Sequence, residues 1–322
     1  MEMISVAARC GADAVKFQTF SAEKVVSKGV SKAEYQERET GPGDQFSMIK
    51  SLELDASAFS RLADHARSMG IEFMSTPFDE LSTDMLLDLG MERIKIPSGE
   101  ITNLPFLEFL AGKRKPVILS TGMSDLIEVG AAVSSIENVW GKEVRGCAGA
   151  ELTLLHCTSN YPASPDSANL RAMTTLADRF SVPVGYSDHT LGDAVAIAAV
   201  ALGAAVIEKH FTLDNSLPGP DHRASLNPAE LMDMVARIRL TERALGDGVK
   251  KAVPSELPIR DLVRRSVTLT RSLPAGAVIS ASDLAVLRPG TGISPVDVGA
   301  VVGRRLKDSL PGGTTLKWSD LC

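Results

Sequence analysis

Seven times along the chain a short apolar run ends in polar or charged residues. The runs are Val15-Lys16-Phe17-Gln18-Thr19, Phe73-Met74-Ser75-Thr76-Pro77, Ile94-Lys95-Ile96-Pro97-Ser98-Gly99-Glu100 and Val117-Ile118-Leu119-Ser120-Thr121-Gly122, followed by Leu154-Leu155-His156-Cys157-Thr158, Val184-Gly185-Tyr186-Ser187-Asp188-His189 and Val206-Ile207-Glu208-Lys209-His210-Phe211. Short apolar runs of this kind are what a parallel strand covered on both faces requires. They predict strands near 14–18, 72–75, 93–96, 116–120, 152–157, 183–186 and 205–209.

Between the runs the pattern turns helical, at 55–69, 81–89, 105–111, 194–202 and 228–245, with a weaker apolar face after Met123. Alternating β and α at about 20 to 35 residues per unit predicts a parallel sheet with covering helices. Polar residues collected at strand C-termini point to a (β/α)8 TIM barrel, in which they share one mouth. Seven strands are one short of eight. Residues 1–12 read as the end of a helix stopped at Gly11, because glycine commonly terminates helices. The expectation is therefore a barrel lacking its first strand, with a natural chain that starts further upstream.

The character changes at Gly246. Residues 1–246 form the expected barrel, 247–264 a charged, proline-containing linker, and 265–322 a small β-rich domain. In the last, Ser266-Val267-Thr268-Leu269 and Ala285-Val286-Leu287-Arg288 read as strands. A domain of that size lies near the lower end of independent stability.

The 322 residues are 44% hydrophobic and 23% charged, values of a water-soluble fold. A net charge of −6 argues against a nucleic-acid partner. No apolar run reaches the roughly 18 residues of a membrane span, and no export signal opens the chain. Four cysteines, Cys10, Cys147, Cys157 and Cys322, lie far apart without a C-x-x-C, which fits reduced thiols and a cytoplasmic location.

Candidate chemistry follows from what the strand ends carry. His189 and His210 close neighbouring runs, with Glu208 and Asp221 close by. That set suits a divalent metal pair; the alternative is a polar rim of hydrogen-bonded imidazoles. Lys16 and Lys95 sit in otherwise apolar strands. A buried lysine needs an anion, either a bound phosphate or carboxylate or an internal partner such as Glu100 or Glu208. Thr76, Ser98, Ser120 and Ser187 add hydroxyls in the same region. His156 reads as a buried hydrogen-bonded residue and His65 as a surface one.

In this order the motifs resemble the sialic acid synthase family. The matching stretches include Gly11–Thr19, Ser75–Asp79, Lys95–Glu100, Leu119–Met123, Leu155–Thr158, Tyr161-Pro162, Ser187–Thr190, Glu208–Thr212 and Gly219–Asp221. Arg288-Pro289-Gly290-Thr291-Gly292 is similar to that family's C-terminal antifreeze-like (SAF, β-clip) domain. The resemblance implies condensation of phosphoenolpyruvate with N-acetylmannosamine or a related N-acetylated hexose, with release of phosphate. It assigns Lys16, Thr76, Lys95, Ser98, Ser120 and Ser187 to phosphoenolpyruvate, with His189 and His210 as ligands for Mn2+ or Mg2+. Glu100, Tyr161 and Asp221 would meet the sugar or reacting centre, and Glu208 would act as acid or base. Arg288 would reach the partner's barrel in a homodimer.

Two positions depart from the family pattern. Nothing here matches its opening Glu-Ile-Gly-x-Asn-His strand, which carries a glutamate of the reaction. Where some members have Asn before Tyr161, this chain reads Ser159-Asn160, which leaves the Ser159 phosphate contact open. Two competing readings stand beside the synthase: a Schiff-base pyruvate aldolase using Lys16, Lys95 or Lys209, and a synthase relative impaired by the absent strand.

Overall fold

A computed structural model describes residues 1–141 and 151–322. Cys147 lies outside the described residues. The chain divides into two compact units, Met1–Gly246 and Asp247–Cys322.

The first unit is an open barrel of parallel strands: β1 Ala14–Thr19, β2 Glu72–Pro77, β3 Ile94–Ile96, β4 Val117–Ser120, β5 Leu152–Cys157, β6 Val184–Asp188 and β7 Ile207–Lys209. β1 pairs with β2, and β3 to β7 form one ladder in chain order. β2 lies beside β3. Among the described residues β7 and β1 are not paired.

Side chains alternate across a strand with period two, and that alternation builds the site. Outward positions Val15, Phe73, Ile94, Ile96, Val117, Leu119, Leu152, Leu154, Val184 and Tyr186 enter the main core between sheet and helices. Their neighbours turn inward. Deep in the barrel, Met74, Ile118 and Leu155 form a small apolar floor. The other inward positions are Lys16 and Lys95, opposite Met74 and Ile118 in register, and, nearer the strand ends, Thr76, Ser120, Cys157, Ser187 and Glu208. The hydrophobic runs thus seal the outer layer, while every second residue near a strand's end is left for chemistry.

Helices start where the mouth loops finish, and their caps fix the loops. Asp125 Oδ1 accepts from the backbone of Ile127 (2.8 Å) and Glu128 (2.9 Å), while Glu128 Oε2 accepts from Asp125 N at 3.1 Å. This reciprocal box satisfies otherwise orphaned N–H groups and opens the 15-residue helix Leu126–Trp140, longer than its weak periodicity predicts. The helix Pro228–Leu245 begins with the same device at Asn227 and Glu230. His65 is half-buried, its Nε2 2.8 Å from Ser5 Oγ, not a free surface residue. No helix among the described residues is long and apolar enough to cross a membrane.

The second unit is built on the antiparallel pair β8 Ser266–Leu269 and β9 Leu284–Leu287. Its own core holds Val267, Leu269, Leu273, Ile279, Ile293, Val301, Leu306, Leu316 and Leu321. The expected linker 247–264 carries a helix, Leu257–Val263, and belongs with this unit. Gly290 N donates to Asp261 O at 2.8 Å, so that stretch is hydrogen-bonded to the loop after β9.

Candidate active site

Lys95 is the best anchored group at the mouth. Its side chain is 3% exposed and its Nζ donates to Ser120 Oγ (2.7 Å) and Ile96 O (3.0 Å). Glu208 Oε2 lies 3.6 Å away, and Glu208 Oε1 accepts from Ser187 Oγ at 3.1 Å. Three strands, β3, β4 and β7, meet at one ammonium, with β6 supporting the carboxylate. Glu208, and not Glu100, is the internal partner; Glu100 instead accepts from Asn103 Nδ2 at 2.7 Å.

Lys16 makes no hydrogen bond or ion pair among the described residues, yet its charge acts on Glu208, His210, Lys95 and Asp221. Burial pushes the Glu208 carboxyl up, but Lys16 and then Lys95 outweigh it and hold the group down at about 2. Glu208 is therefore a carboxylate at neutral pH. Burial also holds Lys95 below the ordinary lysine value, against the pull of Glu208.

Hydroxyls complete the cradle. Ser98 Oγ accepts from Gly122 N at 2.9 Å and lies 3.2 Å from Cys157 Sγ. A methyl placed on Gly122 would meet Ser159 Oγ, Cys157 Sγ (2.8 Å) and Ser98 Oγ (2.9 Å). Ser98, Ser159 and Cys157 thus converge on one glycine. Thr76 is 2% exposed on the inner face of β2, paired in register with Gln18.

The imidazoles lie together at the rim, with His189 and His210 ring centroids 5.4 Å apart. His189 Nδ1 donates to Thr158 O at 2.7 Å. Because a carbonyl only accepts, Nδ1 carries the proton and Nε2 keeps its lone pair. Burial holds His189 below the usual imidazole value. Burial, then the neighbouring His189 and Lys16, brings His210 to about 3. Both rings are neutral, the form that ligates metal. His210 Nδ1 and Asp221 Oδ2 are 3.9 Å apart, beyond a direct hydrogen bond. Among the described residues no set of three His, Cys, Asp or Glu converges as a metal cage. The two neutral imidazoles could supply two ligands, and a cation held there would take the rest of its shell from water and substrate oxygens.

Tyr161 packs between these rings and a residue that no sequence pattern singles out. Its centroid is 4.2 Å from His189 and 5.4 Å from His210. On another side it stacks on Tyr35 at 5.4 Å and 28°. Tyr35 sits in a stretch without helical or strand period. Cys157 is also missed, although strict alternation along β5 places it inward beside Leu155.

Other expected residues lie elsewhere. His156 faces outward, its Nε2 2.8 Å from Ala168 O. Lys209 also faces outward: its Nζ donates to Asp188 Oδ2 at 2.8 Å and to Thr190 O. With both side chains buried, Lys209 is a structural ion pair and no longer a candidate nucleophile. Arg288 directly follows β9 in the second unit.

An open parallel barrel with lysines, hydroxyls, a carboxylate and paired imidazoles at its strand ends defines a barrel-enzyme type of site. Sequence comparison places it more narrowly. Residues 3–250 match the NeuB family and residues 264–321 the SAF domain; the chain belongs to the NeuB family. It is 54% identical to the N,N'-diacetyllegionaminic acid synthase of Legionella pneumophila over 99% of this chain and 89% of that one. The Campylobacter jejuni protein of the same name is 46% identical over 94% and 89%. The crystal structure of the N-acetylneuraminic acid synthetase from Leptospira borgpetersenii superimposes with TM-score 0.69 at 33% identity, covering 80% of this chain and 83% of that chain.

Proposed function

We propose that this chain is a nonulosonate synthase, a transferase that condenses phosphoenolpyruvate with an N-acetylated hexose and releases phosphate. The observation that carries the reading is the Lys95–Ser120–Glu208–Ser187 network, lying with Lys16 at the same mouth as His189 and His210. The likeness to two N,N'-diacetyllegionaminic acid synthases favours a diacetylated amino sugar over N-acetylmannosamine as acceptor.

Lys16, Lys95, Ser98, Ser120 and Ser159 bind the phosphate and carboxylate of phosphoenolpyruvate, and Thr76 and Ser187 flank them. Fixing both ends orients the enol carbon toward the acceptor's aldehyde, the positional advantage of an enforced encounter. The C=C π pair of phosphoenolpyruvate forms a C–C bond to the aldehyde carbon as the C=O π bond breaks, and the resulting alkoxide takes a proton from water. Water then adds at the cationic carbon left behind and gives one proton to Glu208; the C–O bond to phosphate breaks as the new hydroxyl becomes the ketone, its proton leaving with the phosphate. Tyr161, Asp221 and Glu100 contact the sugar, and Arg288 serves the acetyl group from a second copy. His189 and His210 are the residues that would hold Mn2+ or Mg2+, which when bound supplies Lewis-acid polarisation of the aldehyde.

A homodimer is part of this reading. The second unit carries eleven Lys and Arg against seven Asp and Glu, whereas the whole chain is at −6, so its charge is opposite to the barrel's. Its helix Leu257–Val263 exposes Ile259 and Leu262 at 59% and 68%, apolar surface that a second copy would cover.

The test is phosphate release. Release should require both phosphoenolpyruvate and an N-acetylated hexose, stop with EDTA and return with Mn2+. Release from phosphoenolpyruvate alone, or full turnover in EDTA, overturns the reading.

A further inference from the structure

The segment 31–44 leaves the barrel between β1 and β2 and closes on itself. Ser31 and Asp44 form an antiparallel bridge, and Gln45 N donates to Val30 O at 2.8 Å. Inside it, Lys32 Nζ donates to Thr40 Oγ1 and Gly41 O, both at 2.9 Å. A loop tied at its neck and by its own side chains presents a fixed surface. That surface is the helix Glu34–Thr40, and it faces the site at two points. Tyr35 stacks on Tyr161, and Glu39 pairs with Arg223 at 3.4 Å. Arg223 belongs to the loop after β7 that also carries Asp221. Asp221's charge acts on Tyr35 and on Tyr161 alike, so the two phenols and this carboxylate share one space beside the imidazoles.

We propose that Tyr35 is a specificity-determining residue for the acceptor, extending Tyr161 into an aromatic wall for the carbon face of an uncharged N-acetylated hexose. Asp221, across that space, accepts from the sugar's hydroxyl or amide groups. The chemistry selects such a ligand because aromatic faces pack against C–H and acetyl methyl surfaces while a lone carboxylate takes up N–H and O–H donors. Phosphoenolpyruvate, an anion, belongs instead with Lys16 and Lys95. The inference rests on the synthase reading and adds to it a residue in which no motif is legible.

Isothermal titration of the full chain with Mn2+ tests it, using phosphoenolpyruvate alone and then N-acetylmannosamine or a diacetamido hexose in its presence. In Tyr35→Ala the acceptor Kd should rise about tenfold, the scale of one lost aromatic contact, with phosphoenolpyruvate Kd within twofold of wild type. Tyr35→Leu, which keeps apolar bulk without the ring, should show the same split. Acceptor Kd unchanged in both variants overturns the proposal. Loss of phosphoenolpyruvate together with acceptor in both also overturns it, because Tyr35 is then structural. Wild type that binds phosphoenolpyruvate but neither acceptor defeats this inference alone; wild type that binds no phosphoenolpyruvate defeats the synthase reading with it.

Discussion

Lys95 Nζ and Glu208 Oε2 lie 3.6 Å apart although β3 and β7 are the two ends of the five-stranded ladder. The pair is a chord across the barrel mouth, and the curvature of the sheet brings it about. With Lys16 acting on the same carboxylate, Glu208 balances two cations and leaves one excess positive charge for an anionic substrate.

Glu208→Gln separates binding from proton transfer. The amide keeps the shape and the Ser187 contact but removes the negative charge that offsets Lys16 and Lys95. The phosphoenolpyruvate KM should not rise, while kcat falls about 10²- to 10⁴-fold, the range for a lost general base. Steady-state kinetics on both substrates check this. A raised KM with normal kcat would make Glu208 a binding residue only.

Gly122→Ala and Gly185→Ala should fail in different ways. A methyl at Gly122 displaces Ser98, Cys157 and Ser159, so phosphoenolpyruvate affinity should fall, with a stability cost of about 1–3 kcal/mol from overpacking. At Gly185 the methyl meets Val206 O and Leu155 Cδ2 (2.6 Å), where β6 packs against β7 and the apolar floor. Backbone has no room to yield there, so Gly185→Ala should lower Tm more than Gly122→Ala. Thermal melts beside phosphoenolpyruvate titrations separate the two.

How legible the site was depends on which periodicity carried each residue. Lys16, Lys95, Ser120, Ser187, Glu208 and His210 lie on strands or at their ends, where an apolar run broken by a polar residue is a local signal. Their convergence follows from the barrel alone. Lys209 and His156 break runs in the same way but occupy outward positions, and only strict alternation from Ile207 or Leu152 tells them apart. Tyr35 depends on where a self-bonded loop folds back, which neither period encodes. The helix Leu257–Val263 was hidden because two prolines and several charges read as linker, although proline is tolerated in a helix's first turn.

Asp283 gives a pH test confined to the second unit. Its Oδ2 accepts from Ser280 Oγ (2.6 Å) and Ser280 N (2.9 Å), and its Oδ1 from Arg271 Nε at 2.7 Å. The Ser280 hydroxyl and backbone, then Arg271, hold the carboxyl at about 2, against an ordinary 3.8. A depressed folded value means stabilisation that is complete above the ordinary value and lost as pH falls toward the folded one. Wild type and Asp283→Asn should therefore differ in urea midpoint at pH 6 and converge as pH drops from about 4 to about 2. A constant difference across that window would show that the ionised carboxylate is not what holds the turn.

The Lys209–Asp188 pair decides between structural and covalent chemistry for the remaining strand lysine. Asp188 is fully buried and also accepts from Thr190 N (2.9 Å) and Thr190 Oγ1 (2.8 Å). Lys209→Met strands this carboxylate without its cation. Breaking a buried pair from one side costs about 3–5 kcal/mol, whereas replacing both partners with apolar residues is often near neutral. Denaturant unfolding should show the large loss in Lys209→Met and a smaller one in Lys209→Met/Asp188→Leu. Borohydride with pyruvate should leave Lys209 unmodified by peptide mass spectrometry, since an ammonium held by a carboxylate and a carbonyl on the outer face of β7 offers no free amine to a carbonyl substrate. A reduced pyruvyl adduct on Lys209 would contradict the structural role and revive the aldolase alternative.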